Sequence, residues 1–429
     1  MKAVILAAGK GIRFKPFSLT KPKPMIPIGG KPLLEWILIR LREAGVNEVL
    51  IVTHYLEDLI REYFRDGEKL GIKIEYSRQE ALKGTADAFA LMEPFSHDEE
   101  FIGLYGDCYL SERTIETVMR NHEEGSATLT ILEMDDPSNY GVVKLRGDVV
   151  TGIVEKPGIC NLDVVTGIVE KPGIGESASH YANVGLYIFP PEIFRWIRDT
   201  KPSKRGEYEI TDSIELMVKN DSTVRAVKIT DDMWIDVGLP WNLLDANMRA
   251  LTSMKSVVEG EVEEGAHLSG MVKVERGSRI RSGAYIEGPV FIGKDCDIGP
   301  NCYIRPHTSI GAKVRIGNAC EIKNSIIMDG TNISHLSYIG DSVIGERCNL
   351  GAGTITANLR FDKKTVKVEI EGRILDSKKG KLGAFIGDEA QTGVNVSIMP
   401  GVKIGYKSWI APGVTVYGSV PENTFLKTS

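Results

Sequence analysis

"FIGKDCDIGPNCYIRPHTSIGAKVRIGNACEIK", residues 291–323, carries an isoleucine at every sixth position: Ile292, Ile298, Ile304, Ile310, Ile316 and Ile322. Two residues before each sits a small or β-branched side chain, namely Val290, Cys296, Cys302, Thr308, Val314 and Cys320. Side chains two apart on a strand share a face, so both sets point inward. A period of six with that pairing describes three short strands to a coil of eighteen residues, the coils stacking ~4.8 Å apart. The comb reaches back through Val262, Leu268, Val274, Ile280 and Ile286, and resumes at Ile386, Ile398, Ile404, Ile410 and Val416. Residues 261–429 therefore read as a left-handed parallel β-helix of hexapeptide repeats. Gly293, Gly299, Gly311 and Gly317, each following a hexad isoleucine, are expected at its corners.

Upstream the period changes. Apolar strand-like runs ("AVILAA", "EVLIVT", "EFIGLYGD") alternate with amphipathic helical ones ("PLLEWILIRLREAG", "YLEDLIREYF"). That is the pattern of an α/β domain wrapped around a mainly parallel sheet, here residues 1–245. A last helical stretch starting at Pro240 leads into a connector, 246–260.

A chain of 429 residues, 42% hydrophobic and 26% charged, has room for two or three such domains. Its net charge of −6 gives no reason to expect nucleic acid or an anionic membrane surface as partner. The apolar run at the N-terminus, Ala3 to Ala8, is too short for a signal peptide, and no later run is long enough to span a membrane, so a cytoplasmic protein is expected. The six cysteines contain no C-x-x-C pair and read as small buried thiols.

"LAAGKGIRFKPFSLTKPKPMIPIGGKP", residues 6–32, follows the first strand directly. A glycine turn leaving a strand can present backbone N–H groups to phosphate, and Arg13 and Lys23 add positive charge. It is neither a Walker loop nor a full dinucleotide fingerprint. The string G-x-G-x-R followed by K-P-K-P resembles the sugar-1-phosphate nucleotidylyltransferases. The likeness continues through "GTADAFA", "LYGD", "YGVV", "VEKP", "YANVGLYIF" and "WIDVG". It implies that Gly9, Gly11 and Arg13 hold a nucleoside triphosphate, and that Lys23 stabilises the phosphoryl group under attack. It further implies Gln79, Gly84 and Thr85 at the base or sugar, and Gly141 and Asn183 at the sugar phosphate. Asp107 and Asp236 are implied as carboxylate ligands of Mg²⁺. Positioning and charge neutralisation suffice for phosphoryl transfer, so these residue types make chemical sense.

The "VEKP" motif occurs twice, because residues 148–162 are followed by a near-identical tandem copy, 163–177, sharing "DVVTGIVEKPGI". Two copies are too few for a stacked array. Glu155 lies at the right distance after "YGVV", and Glu170 at the right distance before "YANVG". The second copy, with Glu170 and Lys171, connects directly to the strand carrying Asn183 and is expected to occupy the sugar site, the first looping out.

In the β-helix, Arg305 and Lys323 replace the glycine that elsewhere follows the hexad isoleucine. They stand eighteen apart, hence on adjacent coils, and a stacked pair of like charges calls for an anion. The following stretch, residues 323–359, resembles the acetyltransferase half of the bacterial bifunctional glucosamine-1-phosphate acetyltransferase/N-acetylglucosamine-1-phosphate uridyltransferases. The resemblance implies His335 as the base that deprotonates the substrate amine. Arg305, Lys323, Tyr338 and Asn349 would hold the sugar phosphate, Asn358 would position the amine or acetyl group, and Ala352 would lie along acetyl-CoA. Within the insertion "LRFDKKTVKVEIEGRILDSKKGKL" the family's next lysine falls on Lys364.

The two halves together resemble the archaeal-type bifunctional enzymes, while "GIRFKPFSLTKPKP" and "WIDVG" are closest to glucose-1-phosphate thymidylyltransferases. UTP and dTTP both remain open as the nucleotide. The resemblance implies a homotrimer acting on small molecules, joined through the β-helix. Two other readings share the architecture: a glucose-1-phosphate nucleotidylyltransferase with a purely structural β-helix, and a non-catalytic interaction subunit.

Overall fold

The computed structural model describes residues 1–137, 139–155 and 179–427. The chain forms two compact units, one of Met1–Gly9 with Leu34–Asp236, the other of Lys10–Leu33 with Val237–Ser429.

The strands of the first half are, in chain order, β1 (Lys2–Leu6), β2 (Pro27–Ile28), β3 (Lys31–Pro32), β4 (Glu48–Thr53), β5 (Lys73–Arg78), β6 (Phe101–Tyr105), β7 (Cys108–Leu110), β8 (Ala127–Glu133), β9 (Val142–Arg146), β10 (Val149–Val154), β11 (Tyr181–Phe189), β12 (Val224–Ile229) and β13 (Trp234–Asp236). The short pair β2 and β3 belongs to the second unit. Nine strands make the main sheet of the first unit in the order β5-β4-β1-β6-β11-β8-β12-β10-β9. Strands β5, β4, β1 and β6 run parallel. The middle two of these, β4 and β1, are buried almost end to end, which is why "AVIL" and "EVLIVT" read as unbroken apolar runs rather than as alternations. Chain order reverses at β1, flanked by β4 and β6, so the C-terminal ends of β1 and β6 border the crevice where open α/β sheets bind ligands.

The second unit is a three-sided β-helix, its sides being parallel sheets of eight, nine and eight strands. The hexad isoleucines and the cysteines Cys296, Cys302, Cys320 and Cys348 fill one continuous core. Two features depart from the sequence reading. The corners are turned not by the glycines after the isoleucines but two residues later, by left-handed residues such as Asp295, Asn301, His307, Lys313 and Ala319. Gly293 is glycine for another reason: a methyl there would lie 2.7 Å from the backbone of Gly311 on the next coil. Nor is the coil always eighteen residues. Ile310 faces Ile327, Ile316 faces Ile333 and Ile322 faces Ile339, each one residue short. The insertion leaves the core at Thr356, forms an antiparallel hairpin from Lys367–Ile370 and Arg373–Asp376, and re-enters in register, with Thr356 facing Ile398.

Burial pushes the thiols of Cys302 and Cys348 up to about 12 and that of Cys296 up to about 11. At pH 8 the thiolate fraction of each is then about 0.1% or less, and the thiolate is the reactive form. Titration of the native protein with an aromatic disulfide reagent should leave these three unreacted until guanidinium unfolds the chain. Modification of any of them at native rates comparable to free cysteine would contradict the packing.

Candidate functional site

In the first unit, β7 and β13 pair antiparallel with Asp236 opposite Cys108, which sets Asp236 diagonally across the ladder from Asp107. Both carboxylates are half-buried, and the Tyr140 hydroxyl donates to Asp236 Oδ2 at 3.2 Å. No group of three or more His, Cys, Asp or Glu among the described residues is arranged to hold a metal by itself.

Gln79 is buried at the end of β5, its amide donating to the Gly84 carbonyl (3.1 Å) and to Asp87 Oδ2 (2.8 Å). Thr85 Oγ1 accepts the Ile210 N–H at 2.9 Å. These three predicted residues thus share one polar loop at the entry to the helix Thr85–Ala90.

Asn183 stands where the pairing of β11 with β8 shifts register, and such a bulge re-aims a side chain. Gly185 makes the bulge possible with a positive φ of 77°, and the Tyr105 ring fills the space a side chain would need. The amide of Asn183 donates to the Tyr187 hydroxyl at 2.7 Å and accepts the Gly185 N–H. Gly141 faces it, its carbonyl accepting the Asn183 N–H at 2.8 Å.

Against these two stands Glu155 of the first copy. A methyl placed on Gly141 would touch Glu155 Oε2 at 3.3 Å and Asn183 Cβ at 3.4 Å, and Thr211 donates to the same Glu155 oxygen at 3.2 Å. The first copy of the duplicated stretch forms β10, a tight hairpin with β9. Glu170 and Lys171 lie outside the described residues. The expectation that the second copy takes the sugar site falls on those residues, whereas the first copy's Glu155 is the one described beside Gly141. Closing a hairpin across two residues costs about 2 kcal/mol less chain entropy than pairing β9 with a segment fifteen residues further on. Arg205, which the sequence reading missed, lies between Glu155 (3.6 Å) and Glu209 (2.6 Å). Burial raises the Glu209 carboxyl against the pull of Arg205, and the nearby Glu155 charge adds to the rise.

The signature loop belongs to the second unit. Gly11 packs back to back with Lys23, since a methyl on it would come within 3.2 Å of Lys23 Cβ. Lys23 is buried, with its ammonium 4.7 Å from the centre of the Phe14 ring. Arg13 is exposed and lines a cavity of about 490 Å³ with Glu369 and Lys403, which pair with each other at 3.1 Å. The domain boundary expected at residue 245 thus differs from the packing. Thr20 and Lys21 bond to Asp388, and the Gly29 N–H to Asn247, joining this N-terminal segment to the β-helix unit.

Within the β-helix, Ile304 faces Ile322, so Arg305 and Lys323 are neighbours on adjacent coils. Their charges are already met: Arg305 pairs with Glu321 at 2.9 Å and Lys323 with Asp341 at 3.0 Å. The argument that the stack alone requires an anion therefore falls away. What remains is a convergence on Asp341, which accepts from Lys323, Asn324 and Asn358. Asn358 also donates to the Tyr338 hydroxyl at 3.0 Å. Burial and then the Asp341 charge raise the Tyr338 phenol, which keeps it protonated and able to donate. His335 is exposed at the end of its strand, in register with Asn318, beside an exposed Leu336 of positive φ. Asn349 is exposed on the strand that follows in the same sheet, and Ala352 is half-buried at the next corner. Lys363 and Lys364 are both exposed in the insertion, where Asp362 accepts the Lys364 N–H.

The nucleotidyl transferase family matches residues 2–253, the GMPPB C-terminal domain family residues 286–378, and the hexapeptide repeat of succinyl-transferase family residues 383–417. The chain is 38% identical over 427 residues to the Bifunctional protein GlmU of Methanocaldococcus jannaschii, covering 99% of this chain and 97% of that one. It is 42% identical over 427 residues to the protein of the same name from Methanococcus maripaludis, with the same coverage. It is 40% identical to the bifunctional sugar-1-phosphate nucleotidylyltransferase/acetyltransferase of Sulfurisphaera tokodaii, over the whole of both chains.

Proposed function

From the premise that this chain belongs to the nucleotidyl transferase family, and is alike end to end with bifunctional nucleotidylyltransferase/acetyltransferases, we propose that it makes UDP-N-acetylglucosamine in two steps. The amine of glucosamine-1-phosphate attacks the thioester carbonyl of acetyl-CoA, the coenzyme thiolate leaves and the amine proton passes to a base. The phosphate oxygen of the product then attacks the α-phosphorus of UTP, and pyrophosphate leaves. The observation that carries this reading is that one chain holds two separate polar constellations. In the first unit Asp236 pairs with Cys108, next to Asp107, and in the second Lys323 and Asn358 donate to Asp341 while Asn358 also donates to Tyr338.

In the first reaction His335 takes the amine proton. Its exposure supports access for substrate, and a histidine titrates in the range where such a base is useful. Arg305, Lys323, Tyr338 and Asn349 hold the sugar phosphate, Asn358 orients the amine or acetyl group, and Ala352 lies along acetyl-CoA. A phosphate displacing the carboxylate partners of Arg305 and Lys323 exchanges one charge-assisted contact for another. Lys364 is kept as the insertion's candidate.

In the second reaction Gly9, Gly11 and Arg13 bind the triphosphate, Gln79, Gly84 and Thr85 the base or ribose, and Lys23 the phosphoryl group under attack. Asp107 and Asp236 would hold Mg²⁺, which neutralises phosphate charge when bound. Gly141, Asn183 and Glu155 face the sugar phosphate, Glu155 replacing Glu170 in that role.

Large exposed apolar side chains on the β-helix unit, among them Leu336, Phe361, Trp409 and Tyr417, support assembly into a homotrimer. Among the described residues no helix is long and apolar enough to cross a membrane. That fits our reading of a cytoplasmic enzyme. The test is purified protein with a panel of sugar-1-phosphates, each offered UTP and dTTP, with and without acetyl-CoA. Product only from glucosamine-1-phosphate plus both co-substrates, or from N-acetylglucosamine-1-phosphate plus UTP, is expected. A preference for glucose-1-phosphate with no acetyl transfer would replace this reading by the single-activity one.

The duplication supplies a further test. Removing residues 148–162 or residues 160–174 gives the same protein, with one "DVVTGIVEKPGI" joining Gly147 to Gly175. It should transfer nucleotide at or above the original rate. In the full chain Glu155→Ala should raise KM for the sugar phosphate roughly tenfold, as for a lost charge-assisted contact, and Glu170→Ala should leave it unchanged. The opposite pattern would return the site to the second copy.

A further inference from the structure

Between the two cations of the signature loop, Arg13 and Lys23, runs a stretch seated on a corner of the β-helix. Pro16 packs on Gly387 so closely that a methyl on that glycine would lie 2.8 Å from Pro16 Cβ. Next to it Asp388 is buried, its side chain 1% exposed, and Lys21 meets it at 2.5 Å with its own side chain 9% exposed. The Thr20 hydroxyl donates to the same oxygen, Asp388 Oδ2, at 2.6 Å. The other oxygen, Oδ1, accepts the backbone N–H of Glu346 from the neighbouring coil at 2.8 Å, and the Glu346 carboxylate lies 3.2 Å from Lys21 Nζ. Both oxygens of Asp388 are thus committed, one to the loop and one to the β-helix. A dry ion pair of this kind fixes geometry, because removing one partner strands the other charge away from water.

We propose that Asp388 is a positioning residue for nucleotidyl transfer: a β-helix side chain that holds, through Lys21 and Thr20, the segment presenting Arg13 and Lys23. Lys21 stands two residues before Lys23, so a shift of the anchor moves the lysine directly. Misplacement of about 1 Å at a phosphoryl-transfer site is enough to cost on the order of a hundredfold in rate. The corner carrying Asp388 and Glu346 follows the strands Phe385–Ile386 and Val343–Ile344, whereas His335 and the Asp341 constellation lie at the other two corners. The β-helix would then serve both reactions, from different corners. This rests on the assignment of Arg13 and Lys23 to nucleotidyl transfer.

Asp388→Asn, Lys21→Met and the double variant, with Lys23→Ala beside them, separate the possibilities when both activities are measured on each full-length protein. Expected is a fall of tenfold or more in nucleotidyl-transfer kcat for each single variant, with acetyl transfer within about twofold of wild type. The double variant should be no slower than the worse single one, since the pair acts as a unit. Lys21→Arg, which keeps the charge, should recover part of the rate. Unchanged nucleotidyl transfer in Asp388→Asn, while Lys23→Ala is inactive, overturns the positioning role and leaves the site assignment standing. Parallel loss of both activities overturns it too, since Asp388 would then serve only the fold. Full activity in Lys23→Ala would instead remove the assignment on which the proposal rests.

Discussion

Asp107→Ala and Asp236→Ala are each expected to lower nucleotidyl transfer by on the order of 10³-fold, about 4 kcal/mol in barrier height, with acetyl transfer within about twofold of wild type. The asymmetry follows from placement. Asp236 of β13 pairs with Cys108 of β7, next to Asp107, in the first unit, and nothing in the Asp341 constellation belongs to that unit. The size follows from chemistry, since losing a carboxylate that would hold Mg²⁺ would weaken the neutralisation of phosphate charge, on which phosphoryl transfer chiefly depends. Separate assays of pyrophosphate release and of coenzyme A thiol release on one preparation check it. Equal loss of both activities in folded protein would refute the division of labour.

His335→Ala should show the mirror image: acetyl transfer lowered by roughly 10² to 10⁴, or about 3 to 5 kcal/mol, and nucleotidyl transfer from N-acetylglucosamine-1-phosphate unchanged. The exposed imidazole has no share in the hydrophobic core of the β-helix, so the substitution should leave thermal stability close to that of the wild type. The loss should lie in kcat, with KM for glucosamine-1-phosphate moving little, because a base acts in the transition state while the phosphate is held by other side chains. A variant acetylating at the wild-type rate would make His335 a bystander and require another base, for which Tyr338, held protonated, is poorly suited.

The fold was legible because its two halves obey different arithmetic. A six-residue comb of aliphatics can hardly be built into anything but stacked coils, and unbroken apolar runs mark strands buried on both faces. The breaks in the arithmetic were less legible. Nothing in "KNSIIMDG" announces that Ile322 is followed by Ile327 rather than by a residue six on, yet that missing residue brings Gly340, not Asp341, opposite Lys323. Counting by eighteen lands on the carboxylate that neutralises the lysine but misplaces it, since Asp341 stands one residue past the position opposite Lys323. The corner residues escaped for a related reason. Aspartate, asparagine, histidine, lysine and alanine all turn corners here, so no single residue type signals the left-handed position.

At the first site the residues were legible as a string but their allegiance was not. Gly11, Arg13 and Lys23 follow a strand of one unit and pack with the other, because the contacts that decide it come from residues more than two hundred positions away, such as Asn247 and Asp388. The choice between the two "EKP" copies turned on which of two identical segments pairs with β9. Identical sequences give propensity nothing to distinguish, so only chain connectivity could decide.

The anchoring of Lys21 also sets a timetable for biogenesis. Lys21 and Asp388 are 367 residues apart, and ribosomes add about 5 to 20 residues per second. Roughly 20 to 70 s therefore separate the emergence of the loop from that of its partner. Strand β1 and its neighbours can pair long before then, so the segment synthesised almost first is among the last to find its place. During that interval a buried lysine in waiting is solvated and exposed to the cell. Premature termination between residues 33 and 387 yields a nascent chain that carries the whole signature string and lacks the buried carboxylate that anchors Lys21.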